Sequence, residues 1–146
     1  MRLLTRLRAR AAEDDGSAAA ELVLVTPLLM LILLLIVAAG RLTDARLQVD
    51  SAAMQAARAA SLARDPAAAI SQAQTTAQVA LASDHVTCDP LTVTPDTTLF
   101  RPGGQVSVQV SCTVSLAGLT LLHLPGSQTL TASFTSPIDL YRGTGP

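Results

Sequence analysis

The hydropathy pattern changes period three times along the chain. Leu22 to Gly40 is a run of nineteen residues without a charge, bounded on its amino-terminal side by Glu21. A hydrocarbon core about 30 Å thick needs roughly 20 apolar helical residues, so the pattern predicts a membrane-crossing helix over 17–40. From Arg41 to Leu62 the apolar positions Ala45, Val49, Ala52, Ala53, Ala56 and Ala60 recur every three or four residues, with Arg46, Asp50 and Arg58 on other faces. That spacing continues the helix beyond the span as a stalk. Asp65 as N-cap and Pro66 at the first helical position open a second helix, from Ala67 to about Ala82.

After Ser83 the period drops towards two. Val86, Cys88, Leu91 and Val93 form a short strand-like stretch broken at Asp89-Pro90, and Pro102-Gly103-Gly104 makes a turn. Val106, Val108, Val110, Cys112 and Val114 then alternate strictly with polar residues, which is the signature of a half-buried strand. A third strand, about Gln128 to Phe134, follows a Pro125-Gly126 turn and puts Leu130, Ala132 and Phe134 inward. The fold class predicted is α+β: a long N-terminal transmembrane helix, an extracytoplasmic helical stalk, a second helix and a small antiparallel sheet. The expected divisions are 1–16, 17–40, 41–84 and 85–146.

Composition narrows this picture. With about 40 of 146 residues spent on a leader and a span, what remains suffices for one small domain. Only 2% of residues are aromatic and none is Trp, so the core must be built from Ala, Val and Leu. The stalk's stripe of small residues lets a helix approach closely, either from a sister subunit or from the chain's own later elements. Met54 reads as a filler on that stripe. Arg2, Arg6, Arg8 and Arg10 outweigh Arg41 and Arg46, which puts the amino terminus in the cytoplasm and the last hundred residues outside. Cys88 and Cys112 both fall in that outer region, where a pair persists as a disulfide; the alternative is two unpaired buried thiols. A net charge of -1 argues against a nucleic-acid partner.

Candidate chemistry is sparse. His85, near a helix end, and His123, in an apolar loop, have no paired acid or nucleophile at motif spacing and read as exposed or capping side chains. Cys88 and Cys112 lie too far apart for a CxxC redox or zinc signature, and Gly103-Gly104 lacks the context of a phosphate loop. No catalytic residue, metal site or cofactor is expected, and the chain does not read as an enzyme. Glu21 is the exception, because a carboxylate beside a span is costly unless something pairs with it. Either it meets a positive partner, or it reaches back to the headgroup layer. Pro27 removes one helical hydrogen bond; it is either a weak point that lets the helix bend or a kink tolerated near the first turns.

The leader departs from an ordinary secretory signal, since its apolar stretch is long and is followed by Arg41 and a polar helix. Residues 1–16 are basic, then acidic at Glu13, Asp14 and Asp15, and end in Gly16, with Ser17-Ala18-Ala19-Ala20-Glu21 behind. Glu as the fifth residue after that Gly, followed by an unbroken apolar run, resembles a type IV prepilin-like (class III) leader. The string from Gly16 to Leu29, with Pro27 and then Gly40-Arg41-Leu42, resembles the TadE-like family, pilin-like proteins of tight-adherence (Tad/Flp) pilus systems. The similarity covers about 30 residues firmly; Val106 to Val114, Leu130 to Phe134 and Ser136 to Arg142 are similar more loosely to actinobacterial members.

The resemblance implies cleavage after Gly16 by a prepilin peptidase, with Ser17 as the new amino terminus. It also implies that Glu21 meets the free amine of a neighbouring pilin inside a fibre. An unpaired buried carboxylate costs several kcal/mol, which a positioned ammonium largely removes. The implied partners are the peptidase, other pilins or pseudopilins, the inner-membrane platform of the assembly machine and the lipid bilayer. Main-fibre Flp pilins are very short, whereas this chain carries about 100 outer residues, so a minor pilin of a Tad pilus or secretion system is the expected role. It would be a single-pass cell membrane protein whose end point is a surface pilus. The rival expectation is a permanently anchored extracytoplasmic scaffold or binding module with an intact leader.

Overall fold

The computed structural model describes residues 2–119 and 126–141, with side chains over 21–117 and 126–141. His123, Pro125 and Arg142 lie outside the described residues. The elements run α1 (Arg2–Leu62), α2 (Pro66–Ser83), β1 (Leu91–Asp96), β2 (Gln105–Ser115), the single turn α3 (Leu116–Leu119) and β3 (Ser127–Pro137). The α+β class and the three-stranded antiparallel sheet expected from the sequence are both present, in the order β1-β2-β3. The chain divides into two compact units, Met1–Ala38 and Ala39–Pro146.

In the second unit, the part of α1 after Ala38 supplies the predicted stripe. Ala45, Val49, Ala52, Ala53, Ala56 and Ala60 are buried, joined by Ala57 and Ala63, in one cluster with Ala69, Ala73, Ala77 and Leu81 of α2. The small residues therefore serve the chain's own core, and Met54 is half-buried beside them. Alanine against alanine brings helix axes close, a gain in contact that compensates for the absence of rings. α2 begins as predicted: the Asp65 carboxylate accepts from the Ala68 N–H at 2.8 Å, with Pro66 at the first helical position.

The helix ends on a motif that the sequence conceals. The Val86 N–H donates to the Leu81 carbonyl at 3.0 Å and the His85 N–H to the Ala82 carbonyl at 3.2 Å, the paired bonds of a Schellman cap. The residue between cap and strand adopts φ 58°, where glycine is usual, yet here it is His85. Replacing His85 with glycine is expected to stabilise the fold by about 0.5–1 kcal/mol, the left-handed penalty less the extra chain entropy of glycine. A thermal melt reads this directly.

Val86 and Cys88 were expected within the first strand, but β1 starts at Leu91. The reason is that 86–90 is already engaged: Val86 closes the helix cap, and the Asp89 N–H donates to the Thr113 carbonyl at 2.8 Å. The Asp89–Pro90 peptide is cis. β2 follows the predicted alternation, with Val106, Val108, Val110, Cys112 and Val114 buried. It pairs Leu91 with Cys112 on one side and Cys112 with Leu130 on the other. The third strand is longer than expected, reaching Pro137. Leu130 and Ala132 are buried as expected, whereas Phe134 keeps the inward parity opposite Val108 but remains 37% exposed. The buried row continues through Ser136, whose hydroxyl donates to the Ser61 hydroxyl of α1 at 3.1 Å.

The other face of the sheet is a field of hydroxyls. Thr113 and Thr129 lie 3.0 Å apart, Ser111 and Thr131 3.4 Å, and Thr135 donates to Ser107 at 3.2 Å. At the far end, the β1–β2 loop is tied to the segment after β3: Gly103 N–H donates to the Ile138 carbonyl at 3.2 Å, and Ile138 N–H to the Gly104 carbonyl at 2.9 Å. Gly103 has φ +73°, and any side chain at Gly104 would collide with the Leu99 carbonyl, so the predicted turn depends on both glycines. Asp96 starts this loop by accepting from the Thr98 N–H at 3.0 Å; that bond and one from the Thr98 side chain hold its carboxyl below the ordinary range.

Candidate assembly segment

The residues singled out in the sequence fall into two groups, set in different parts of the chain. Gly16, Ser17, Glu21 and Pro27 succeed one another along α1, while Cys88 and Cys112 belong to the sheet. The helix runs through Gly16 and Ser17 without a break. Ser17 precedes Glu21 by four residues, about one turn or 6 Å along the axis. Glu21 is exposed and has no hydrogen-bond or ion-pair partner among the described residues.

From Glu21 to Gly40 the side chains are almost all exposed, including Leu22, Leu24, Leu28, Ile32 and Leu35; only Leu34 and Ala38 are half-buried. A surface of this length without polar relief is stable only in lipid or against other apolar helices. The helix is long and apolar enough to cross a membrane, by length and composition. Pro27 sits inside it without ending it. Pro27 has no N–H to offer the Val23 carbonyl, and one residue earlier the Thr26 hydroxyl donates to the Leu22 carbonyl at 2.7 Å.

Residues 16–58 match the family of TadE-like proteins. No curated protein and no solved structure matches the chain. The matched segment starts at Gly16, contains Ser17, Glu21 and Pro27, and ends within the buried alanine stripe. The resemblance drawn from the sequence thus holds over the span and the first part of the stalk. Over these residues the chain is similar to TadE-like proteins.

The two cysteines are joined: Cys88 and Cys112 form a disulfide with Cα atoms 5.0 Å apart, 24 residues apart in sequence. Of the alternatives open in the sequence, the structure selects the bond. It fastens the segment before β1 to the buried side of β2, where Cys112 is fully enclosed.

Among the described residues, no group of three or more His, Cys, Asp or Glu side chains could hold a metal ion. A cleft of about 520 Å³ opens beside the start of the stalk, between Arg41, Asp44 and Gln48 of α1 and Asp84, His85 and Asp89 of the α2–β1 connection. Sequence reading gave no hint of it, because its walls come from four separate stretches. The Gln48 amide donates to Asp44 at 3.3 Å, and its Oε1 is buried without a partner. That oxygen is shielded from solvent, so it presents nothing to a molecule entering the cleft.

Proposed function

We propose that this chain is a minor pilin or pseudopilin of a Tad-type pilus or secretion system, inserted with its amino terminus inside and cut after Gly16. The observation that carries this reading is the match over 16–58, which begins at the residue where a prepilin peptidase would cut and includes Glu21. Cleavage makes Ser17 the amino terminus and removes Arg2, Arg6, Arg8 and Arg10 together with Glu13, Asp14 and Asp15. Glu21 then has a chemical task. In a bundle of apolar helices its carboxylate accepts from the Ser17 ammonium of a neighbouring subunit, and each charge removes the other's desolvation cost. Pairing at a single level also sets the axial register between helices, as a lone polar contact does in other helical assemblies. Leu22 to Gly40 provide the packing surface, and Pro27 permits local bending when the helix passes from lipid into a fibre.

The work is mechanical. The partners of this reading are the prepilin peptidase, neighbouring pilins, the inner-membrane platform and the bilayer, with the outer unit carried on the extracytoplasmic side. Amino-terminal sequencing and intact mass of the protein recovered from membranes, with and without the host's prepilin peptidase, test it. A chain starting at Ser17 only when the peptidase is present is the expected result. A chain starting at Met1 in both cases leaves Glu21 without its amine and favours a permanently anchored extracytoplasmic module.

A further inference from the structure

The two sulfurs of the Cys88–Cys112 bond stand in different surroundings. Cys112 is fully enclosed on the buried face of β2, where Leu91 of β1 and Leu130 of β3 pair with it on either side and Val110 and Val114 flank it along the strand. Cys88 is half-buried and lies in the connection before β1. It lines a cavity of about 460 Å³ whose walls also include Gln78 and Leu81 of α2, then His85, Thr87 and Leu91. Cys112 does not line that cavity. A disulfide is opened by a thiolate that attacks one sulfur and expels the other, so access decides which sulfur is attacked. Cys88 is open to such an approach and Cys112 is closed to it.

We propose that the cavity at Cys88 admits a small thiol, which exchanges with the disulfide at Cys88 while the fold stays assembled. In this step a lone pair of the incoming thiolate forms a new S–S bond to Cys88 Sγ, and the electron pair of the old bond leaves on Cys112 Sγ. The incoming sulfur is oxidised and Cys112 is reduced. The Cys112 thiolate then takes up one proton from solvent, because apolar surroundings favour the neutral thiol. The product is a mixed disulfide at Cys88 and a free thiol at Cys112. Closure retraces the path: the Cys112 thiolate attacks Cys88 Sγ and releases the small thiol. A buried leaving group slows opening without changing which sulfur is reached. The cavity's volume falls in the ordinary range for small-molecule sites, roughly 300–1,000 Å³. Its walls combine residues bearing amide, hydroxyl and imidazole groups with Leu81 and Leu91, which fits a thiol that carries peptide groups. The exchange opens the covalent tie between the approach to β1 and the centre of the sheet. The proposal does not depend on cleavage after Gly16, so the two readings fail separately.

The test treats the oxidised full chain in detergent micelles with reduced glutathione, quenches with acid, labels free thiols with a maleimide in denaturant, and maps both cysteines by mass. Early samples are expected to carry glutathione on Cys88 and maleimide on Cys112. The rate should rise in proportion to glutathione while the β2 amides around Cys112 stay protected from hydrogen exchange. Glutathione on Cys112, an even split between the two cysteines, no adduct at either, or a rate that levels off with glutathione, as it does when unfolding comes first, overturns the proposal. A pair of variants tests the route. Gln78 is exposed on α2 and lines the cavity, so a charge there meets the incoming anionic thiol without disturbing the core. Gln78→Lys should speed the exchange and Gln78→Glu slow it, by about threefold each at low salt. Equal rates for the two variants overturn the cavity as the way in.

Discussion

Replacing Glu21 with alanine is expected to leave expression and membrane insertion intact while removing the protein from sheared surface fibres. The size of the effect follows from the pairing proposed for the assembled state. Deleting one member of a buried ion pair strands the other charge, at a cost of about 3–5 kcal/mol. Each 1.4 kcal/mol is about a factor of ten, so incorporation should fall on the order of a hundredfold or more. In the isolated chain Glu21 is exposed and has no side-chain partner among the described residues, so the substitution breaks no described side-chain contact before assembly. Quantitative blotting of sheared fibres against total membrane protein measures the ratio. Unchanged incorporation would show that Glu21 is a hydrated group at the membrane edge and that the register of the fibre comes from elsewhere.

The second large effect concerns the unit Ala39–Pro146. Breaking the Cys88–Cys112 bond, by the double substitution Cys88→Ala and Cys112→Ala or by reduction, should cost about 3 kcal/mol for a closed loop of this order. A domain of about a hundred residues then loses roughly 10–20 °C of its thermal midpoint. The cost is large relative to the fold's means. The buried core is chiefly alanine and valine, and β1 is only half-buried, with hydrogen bonds on one side alone. The disulfide fastens the approach to β1 to the centre of the sheet, so reduction should release β1 first. Hydrogen exchange in the oxidised and reduced protein tests this: loss of protection at Leu91–Asp96 before the centre of β2 is expected, and uniform loss across the sheet would assign the bond a purely global role.

Much of this molecule follows from local chemistry. That Leu22 to Gly40 forms a helix long and apolar enough to cross a membrane follows from nineteen successive residues without a charge. The stripe from Ala45 to Ala60, the start of α2 at Asp65-Pro66 and the alternation from Val106 to Val114 are likewise written in residue spacing. So is the relation of Gly16, Ser17, Glu21 and Pro27, which lie within a single helix, where sequence distance is spatial distance. The segment similar to TadE-like proteins could be found for that reason.

What only the tertiary structure decided involves residues brought together from afar. Whether the small-residue stripe faced a sister subunit or the chain itself depended on Ala69, Ala73 and Ala77 arriving opposite it. Cys88 and Cys112 were compatible with a bond or with two thiols until the strand register put their Cα atoms 5.0 Å apart. Val86 and Cys88 carry a strand-like pattern, but hydrogen bonds to Leu81 and along β2 claim that stretch before β1 can use it. His85 takes a glycine's conformation because the cap around it is fixed by its neighbours. Phe134 has the right parity for the core, yet parity fixes only the face of a sheet; how far each residue of that face is covered is decided by what packs over it, and Phe134 remains 37% exposed beside buried Leu130 and Ala132.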